Sequence, residues 1–144
     1  MKILFDTDIF SIAQHPNSPE ALIVRRHVIM LPPEVEVGTT IISYDEQTRG
    51  WLKFFANAKS RADKLRAYAK LYKHLTDWQG AHVFPFDEAA MEVFDGLMGL
   101  KLRVGANDLK IAATALAVDG TLITRNVADF HRIPNLRVED WTRP

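Results

Sequence analysis

Five short apolar runs, each stopped by polar residues and separated from the next by stretches of helical character, restrict this chain to an α/β fold. The first, Ile3-Leu4-Phe5, breaks straight into Asp6-Thr7-Asp8. The others are the β-branched stretch from Val35-Glu36-Val37 through Thr39-Thr40-Ile41-Ile42, then Val83-Phe84 before Pro85, Thr121 to Thr124, and Leu136-Arg137-Val138. Short apolar runs ended by polar residues read as buried strands. Strands alternating with helices argue for a parallel sheet covered on both faces. In open sheets of that kind ligands bind outside the carboxyl edge of the strands. Residues directly after Phe5 and after the Thr121 run therefore occupy the positions where chemistry is expected.

The intervening segments carry helix signals. Ile9 to Gln14 starts a helix with Asp8 or Thr7 as its cap, and His15-Pro16-Asn17-Ser18-Pro19 makes a turn. Ala21 to Met30 is helical, and Pro32-Pro33 then enforces extended chain. A third helix starts near Ser43, whose hydroxyl can cap it, and Glu46 stands at capping-box spacing from Ser43. Trp51, Phe54, Phe55 and Ala58 continue its apolar face. Arg61 to Trp78 forms a long helix with Leu65, Tyr68, Tyr72 and Leu75 at helical spacing, ended by Gly80. Asp87 or a neighbour caps the next, with Ala90, Val93, Phe94, Leu97 and Met98 on one face. Gly105 turns the chain into a helix that carries Asp108 and the small apolar run Leu109 to Val118.

At 144 residues the chain fits one domain, 1–144, by the usual size range. An apolar fraction of 47% and a charged fraction of 25% are ordinary for a soluble protein. The 18 basic and 18 acidic residues cancel, so attraction to nucleic acid has to come from a local patch. Between Lys53 and Lys73 there are seven basic residues against one acidic, Asp63, which reads as either a solvated helix face or a phosphate-binding patch. The absence of cysteine excludes disulfides, thiolate catalysis and cysteine-based zinc sites. The five histidines show no zinc-like spacing and are expected mostly at the surface. No run approaches the ~18 apolar residues of a membrane span, and the start is too short for a signal peptide. A cytoplasmic protein is the expectation.

The acidic residues carry the functional reading. Asp6 leaves the tip of the first strand, with Asp8 beside it. Asp108 lies at the start of the alanine-rich helix, where a carboxylate also favours the helix dipole. Thr124-Arg125-Asn126 with Asp129 forms a polar cluster after another strand, in which Asn126 can supply a turn and Asp129 can pair with Arg132. Glu46 is either a capping residue or a fourth carboxylate in the same crevice. Oxygen ligands of this kind suit Mg²⁺ or Mn²⁺. Such an ion activates water and stabilises charge on a phosphodiester, which points to a metal-dependent nuclease without a protein nucleophile.

The pattern resembles the PIN-domain ribonucleases, most closely the VapC-type toxins of type II toxin–antitoxin pairs. The resemblance rests on Ile3 to Asp8, on Ile42-Ser43 through Glu46 to Arg49-Gly50, and on Val104-Gly105-Ala106-Asn107-Asp108-Leu109 to Ala113. It continues through Leu122-Ile123-Thr124-Arg125-Asn126-Val127-Ala128-Asp129-Phe130 and ends with Ile133 to Trp141. It implies a three-layer α/β/α sandwich with a central parallel sheet, and an endoribonuclease holding Mg²⁺ or Mn²⁺. By position, Asp6, Glu46 and Asp108 match the central acidic residues and the metal ligands. Asp129 matches the more variable fourth acidic position, and Asn126 stands where some relatives carry an acid. Asp45 neighbours Glu46 and competes with it for the role. Thr7, Asp8, Arg125 and Asn126 fall in supporting positions. An RNA substrate, a cognate antitoxin and a homodimer are the implied partners.

Two other classes compete. Haloacid-dehalogenase-like phosphatases also follow a first strand with Asp-x-Asp and would use Asp6 as nucleophile. They need a later Lys and an acidic pair at a strand end, and no adjacent acidic pair directly follows the Thr121 to Thr124 strand. A PIN-like RNA-binding module without catalysis would be favoured by a broken acidic set, which this chain does not have.

Overall fold

The computed structural model describes the whole chain, Met1–Pro144. Strand β1 (Lys2–Phe5) is central in a five-stranded sheet of order β3-β2-β1-β4-β5, with β2 at Glu36–Thr40, β3 at Val83–Phe84, β4 at Thr121–Ile123 and β5 at Arg137–Glu139. Every pairing is parallel. Successive strands therefore need crossovers, supplied by α1 (Thr7–Ala13), α2 (Pro19–Ile29), α3 (Ile41–Ala56), α4 (Arg61–Gln79), α5 (Glu88–Met98), α6 (Ala106–Ala117) and the short α7 (Val127–Phe130).

Alternation along the strands divides the core into two layers. Ile3, Phe5 and Ile123 pack with Ile9, Val24 and Trp141 on the α1–α2 side. Leu4 and Leu122 pack with Leu97, Leu109, Ala112 and Phe130 on the other. The alanines of α6 bring that helix close to the sheet: Ala112, Ala113 and Ala115 are all wholly buried. The expected sheet with both faces covered is thus present. Gly38 of β2 marks a close approach, because a Cβ there would lie 2.4 Å from the His82 carbonyl oxygen, beside strand β3.

Local details differ from the sequence reading. The cap of α1 is Asp6, which accepts from the Ile9 N–H, rather than Asp8 or Thr7. Likewise α3 is capped by Thr40 rather than Ser43. Its start at Ile41 moves Glu46 out of capping-box range and well into the helix. The α2 helix begins at Pro19 behind the Ser18 cap, two residues before the expected Ala21. The helix α7 was not anticipated. On α4 the stripe Leu65, Tyr68, Tyr72 and Leu75 faces outward, and the buried side is Ala67, His74 and Trp78. This helix is apolar on two faces, so periodicity alone did not select between them. No helix is long and apolar enough to cross a membrane.

Candidate active site

The strand order reverses at β1, whose neighbours are β2 on one side and β4 on the other. Crevices at such switch points are where open α/β sheets take ligands. Register places Phe5 opposite Ile123, so Asp6 and Thr124 emerge together from the strand tips. The Thr124 hydroxyl donates to Asp6 Oδ2 at 2.5 Å, and the Ile9 N–H donates to Asp6 Oδ1 at 2.8 Å. Thr124 Oγ1 in turn accepts from the Asn126 N–H at 2.9 Å. Both oxygens of Asp6 are held, and the residue is only 7% exposed. Burial drives its pKa up to about 6; the Thr124 and Ile9 hydrogen bonds oppose this, while Asp8 and Asp108 add to it.

Glu46 reaches the same crevice from the second turn of α3. It accepts from the Thr7 hydroxyl at 2.9 Å, and that hydroxyl also lies 2.9 Å from Ser43 Oγ. Ser43 is fully buried and 3.2 Å from Thr40 Oγ1. A chain of three hydroxyls, Thr40, Ser43 and Thr7, thereby positions Glu46. Asp45 turns the other way and receives Arg49 Nε at 2.8 Å, so it does not share the site.

Asp108 stands in the first turn of α6. Burial raises its pKa, with further contributions from the negative charges of Glu46 and Asp129. The crevice therefore draws its carboxylates from β1, α3 and α6. No three of its acidic side chains are drawn tightly enough to form a closed coordination shell.

The surrounding acids are neutralised and the central ones are not. Asp8 is gripped by Arg125 through Nε at 2.7 Å and a terminal nitrogen at 3.0 Å. Asp129 pairs with Arg132 at 3.2 Å and accepts from Asn126 Nδ2 at 2.9 Å. Asp6, Glu46 and Asp108 take part in no ion pair. Arg125 and Asn126, expected as supporting groups, are thus occupied with Asp8 and Asp129.

Comparison with known proteins follows this geometry. The chain is 29% identical to ribonuclease VapC2 of Rickettsia felis, over 99% of its own length and 100% of that protein. It is 28% identical to ribonuclease VapC1 of Haemophilus influenzae with the same coverage. Among solved structures, VapBC-1 from nontypeable Haemophilus influenzae superposes with a TM-score of 0.72 at 25% identity, covering 99% of this chain and 100% of that one. Over its whole length the chain is thus similar to VapC ribonucleases in sequence and to VapBC proteins in fold. VapBC2 of Rickettsia felis, solved bound to a DNA fragment from its promoter, is also similar, with a TM-score of 0.69 at 26% identity over 98% of this chain and 99% of that one. No protein-family model matches. Two features of the site are not visible in the sequence. In the sequence Thr124 is one member of a polar cluster with no sign that it clamps Asp6, and Ser43 reads as a helix cap. The signal for Thr124 is strand register, which a motif does not display.

Proposed function

We propose that the protein is an endoribonuclease, the toxin of a toxin–antitoxin pair, that hydrolyses RNA phosphodiesters with Mg²⁺ or Mn²⁺. The observation carrying this reading is the contrast among the acids. Asp6, Glu46 and Asp108 face one crevice without a cationic partner, while Asp8, Asp45 and Asp129 around them are each paired to an arginine. The donor set is all carboxylate, the chemistry that hard divalent cations take. Asp6, Glu46 and Asp108 would hold the ion, with Asp129 close enough to be felt by Asp108. When bound, the ion supplies Lewis acidity towards the phosphodiester and lowers the pKa of water.

The chain's own residues do the rest. Thr124 and the Ile9 N–H fix the rotamer of Asp6, so its free lone pairs point into the crevice. Thr7 holds Glu46 in the same way. The Arg125–Asp8 and Arg132–Asp129 pairs line the crevice rim, where their guanidinium groups present positive charge to phosphates without entering the acidic centre. The solved relatives are complexes of VapB with VapC, and we assign this chain a small antitoxin partner on that likeness and a homodimeric state on the family resemblance of its sequence. Incubating the purified protein with total RNA, with and without Mg²⁺ or Mn²⁺, and mapping the cleaved ends tests the reading. Discrete new ends that vanish in EDTA are expected; intact RNA under all conditions would remove it.

A further inference from the structure

A second cleft follows the same helices away from the acidic crevice. α1 and α3 lie side by side, and their facing residues meet in steps. Thr7 meets Glu46 in the crevice, and one turn further on Gln47 Nε2 donates to Ser11 Oγ at 2.9 Å and to Gln14 Oε1 at 3.0 Å. Gln47 Oε1 accepts from Trp78 Nε1 at 3.0 Å, which pins the amide from behind. Beyond this pair lies a cleft of about 330 Å³, bordered by Gln14, His15, Gln47, Gly50, Trp51 and Phe54. It adjoins a smaller pocket against α4 that is bordered by Lys70, Lys73 and His74.

Four features of this cleft stand out. Gly50 sits inside α3, where glycine weakens a helix, yet a Cβ there would meet nothing within 4 Å. The position is open towards the cleft rather than packed. Trp51 and Phe54 are only partly covered, and the Lys70 ammonium stands 5.4 Å and 5.2 Å from their ring centroids. His74 is 5% exposed, and its Nδ1 has no hydrogen-bond partner. Finally, His15, Lys70 and Lys73 face a single carboxylate, Asp77, which is bonded to Lys73.

We propose that this cleft is a nucleotide subsite, which takes one base and its phosphate of single-stranded RNA next to the bond cut at the acidic crevice. The inference rests on the ribonuclease reading and adds where the strand runs. Aromatic faces bind bases by stacking, and amides read their edges. Here Trp51 and Phe54 supply the faces; Gln47, whose amide is fully bonded, fixes Gln14, whose remaining amide hydrogen and lone pair supply a donor and an acceptor. Lys70 and Lys73 supply charge for the phosphate. Gly50 leaves room for a planar ring against the helix backbone. The pocket against α4 has Trp51 as its one apolar side chain, whereas a groove for an amphipathic helix is lined by apolar anchors.

The test measures binding of a fluorescein-labelled single-stranded RNA decamer in EDTA, so that no cleavage intervenes, together with Mg²⁺-dependent cleavage of the same RNA. Gly50→Leu fills the cleft with a good helix former, so Kd should rise about tenfold while the melting temperature holds or increases. Trp51→Ala should raise Kd at least about fivefold, and Leu65→Ala on the outer face of α4 should leave it unchanged. Decamers carrying 5-iodouridine should crosslink to the tryptic peptide spanning residues 50–53. If the wild type neither binds nor cuts RNA, the ribonuclease reading and this inference fall together. If the wild type does both and Gly50→Leu and Trp51→Ala bind equally well, the subsite alone is refuted. Variants that keep RNA affinity but lose a co-expressed antitoxin would make the cleft a protein seat and overturn the inference.

Discussion

Replacing Asp6 by Asn should make the metal-free protein more stable at neutral pH. The carboxyl has a folded pKa of about 6 against an ordinary value of 3.8. A raised acid pKa means the native state holds its proton more tightly than the unfolded chain. Stability is therefore unaffected below about pH 4, falls as pH rises towards 6, and carries the full penalty above that. At about 1.4 kcal/mol per unit, the gap between the two values is worth about 3 kcal/mol. Asn caps helices as well as Asp does, so the Ile9 bond survives. The opposing Thr124 bond is already contained in that pKa, and the poorer fit of an amide in a site built for a carboxyl costs about 1–2 kcal/mol. The net gain is about 1–2 kcal/mol, or about 3–6 °C in melting temperature for a chain of this size. Thermal melts by circular dichroism in EDTA at pH 7.5 and pH 4.0 measure it. The variant should melt higher at pH 7.5 and slightly lower at pH 4.0. A variant that melts lower at both, or by the same margin at both, would refute the idea that the buried charge opposes folding.

Other expectations follow from the same geometry. Asp6→Asn, Glu46→Gln and Asp108→Asn should each reduce Mg²⁺-dependent RNA cleavage at least about a hundredfold with unchanged circular dichroism, since an amide is a far poorer ligand for a hard cation; wild-type cutting by any of them removes that residue from the site. Thr124→Val takes a donor from Asp6 and an acceptor from the Asn126 N–H, so urea denaturation should show a loss of about 1–3 kcal/mol. Gly38→Ala presses a methyl into the His82 carbonyl and should cost about 1–3 kcal/mol as overpacking does, read from the same denaturation curves. Charge reversal at Lys64 and Arg66, both exposed on α4, should weaken RNA binding and reduce its logarithmic salt slope by about 0.7 for each lost phosphate contact; an unchanged slope would leave them as solvated side chains.

The strands and their order in the chain were legible because a buried strand needs an unbroken apolar run, and Ile3-Leu4-Phe5 and Thr121 to Ile123 have one. Asp6 and Asp108 were legible for the same reason, standing directly after a strand and at a helix start. Glu46 was not decidable by spacing. A Ser at minus three suggested a cap, and only the true start of α3 at Ile41 turned its side chain towards Thr7. The outward stripe of α4 misled because Leu65, Tyr68, Tyr72 and Leu75 have the spacing of a core face. The small Ala67, and Trp78 with its bond to Gln47, mark the side that α3 covers. Lateral contacts such as Thr124 with Asp6, 118 positions apart, depend on register between strands and leave no local trace.

That separation bears on how the protein is made. As the chain leaves the ribosome, β1 appears first and its partner β4 only after residue 121. Until then the middle strand of the sheet has a bare edge, which is an aggregation hazard, and Asp6 has no Thr124 to orient it. Three of the five strands and most of the helical cover can exist without a competent crevice. On the proposed ribonuclease reading this delay is protective: the nascent polypeptide stays harmless beside the message being read, and the proposed partner has until release to reach it.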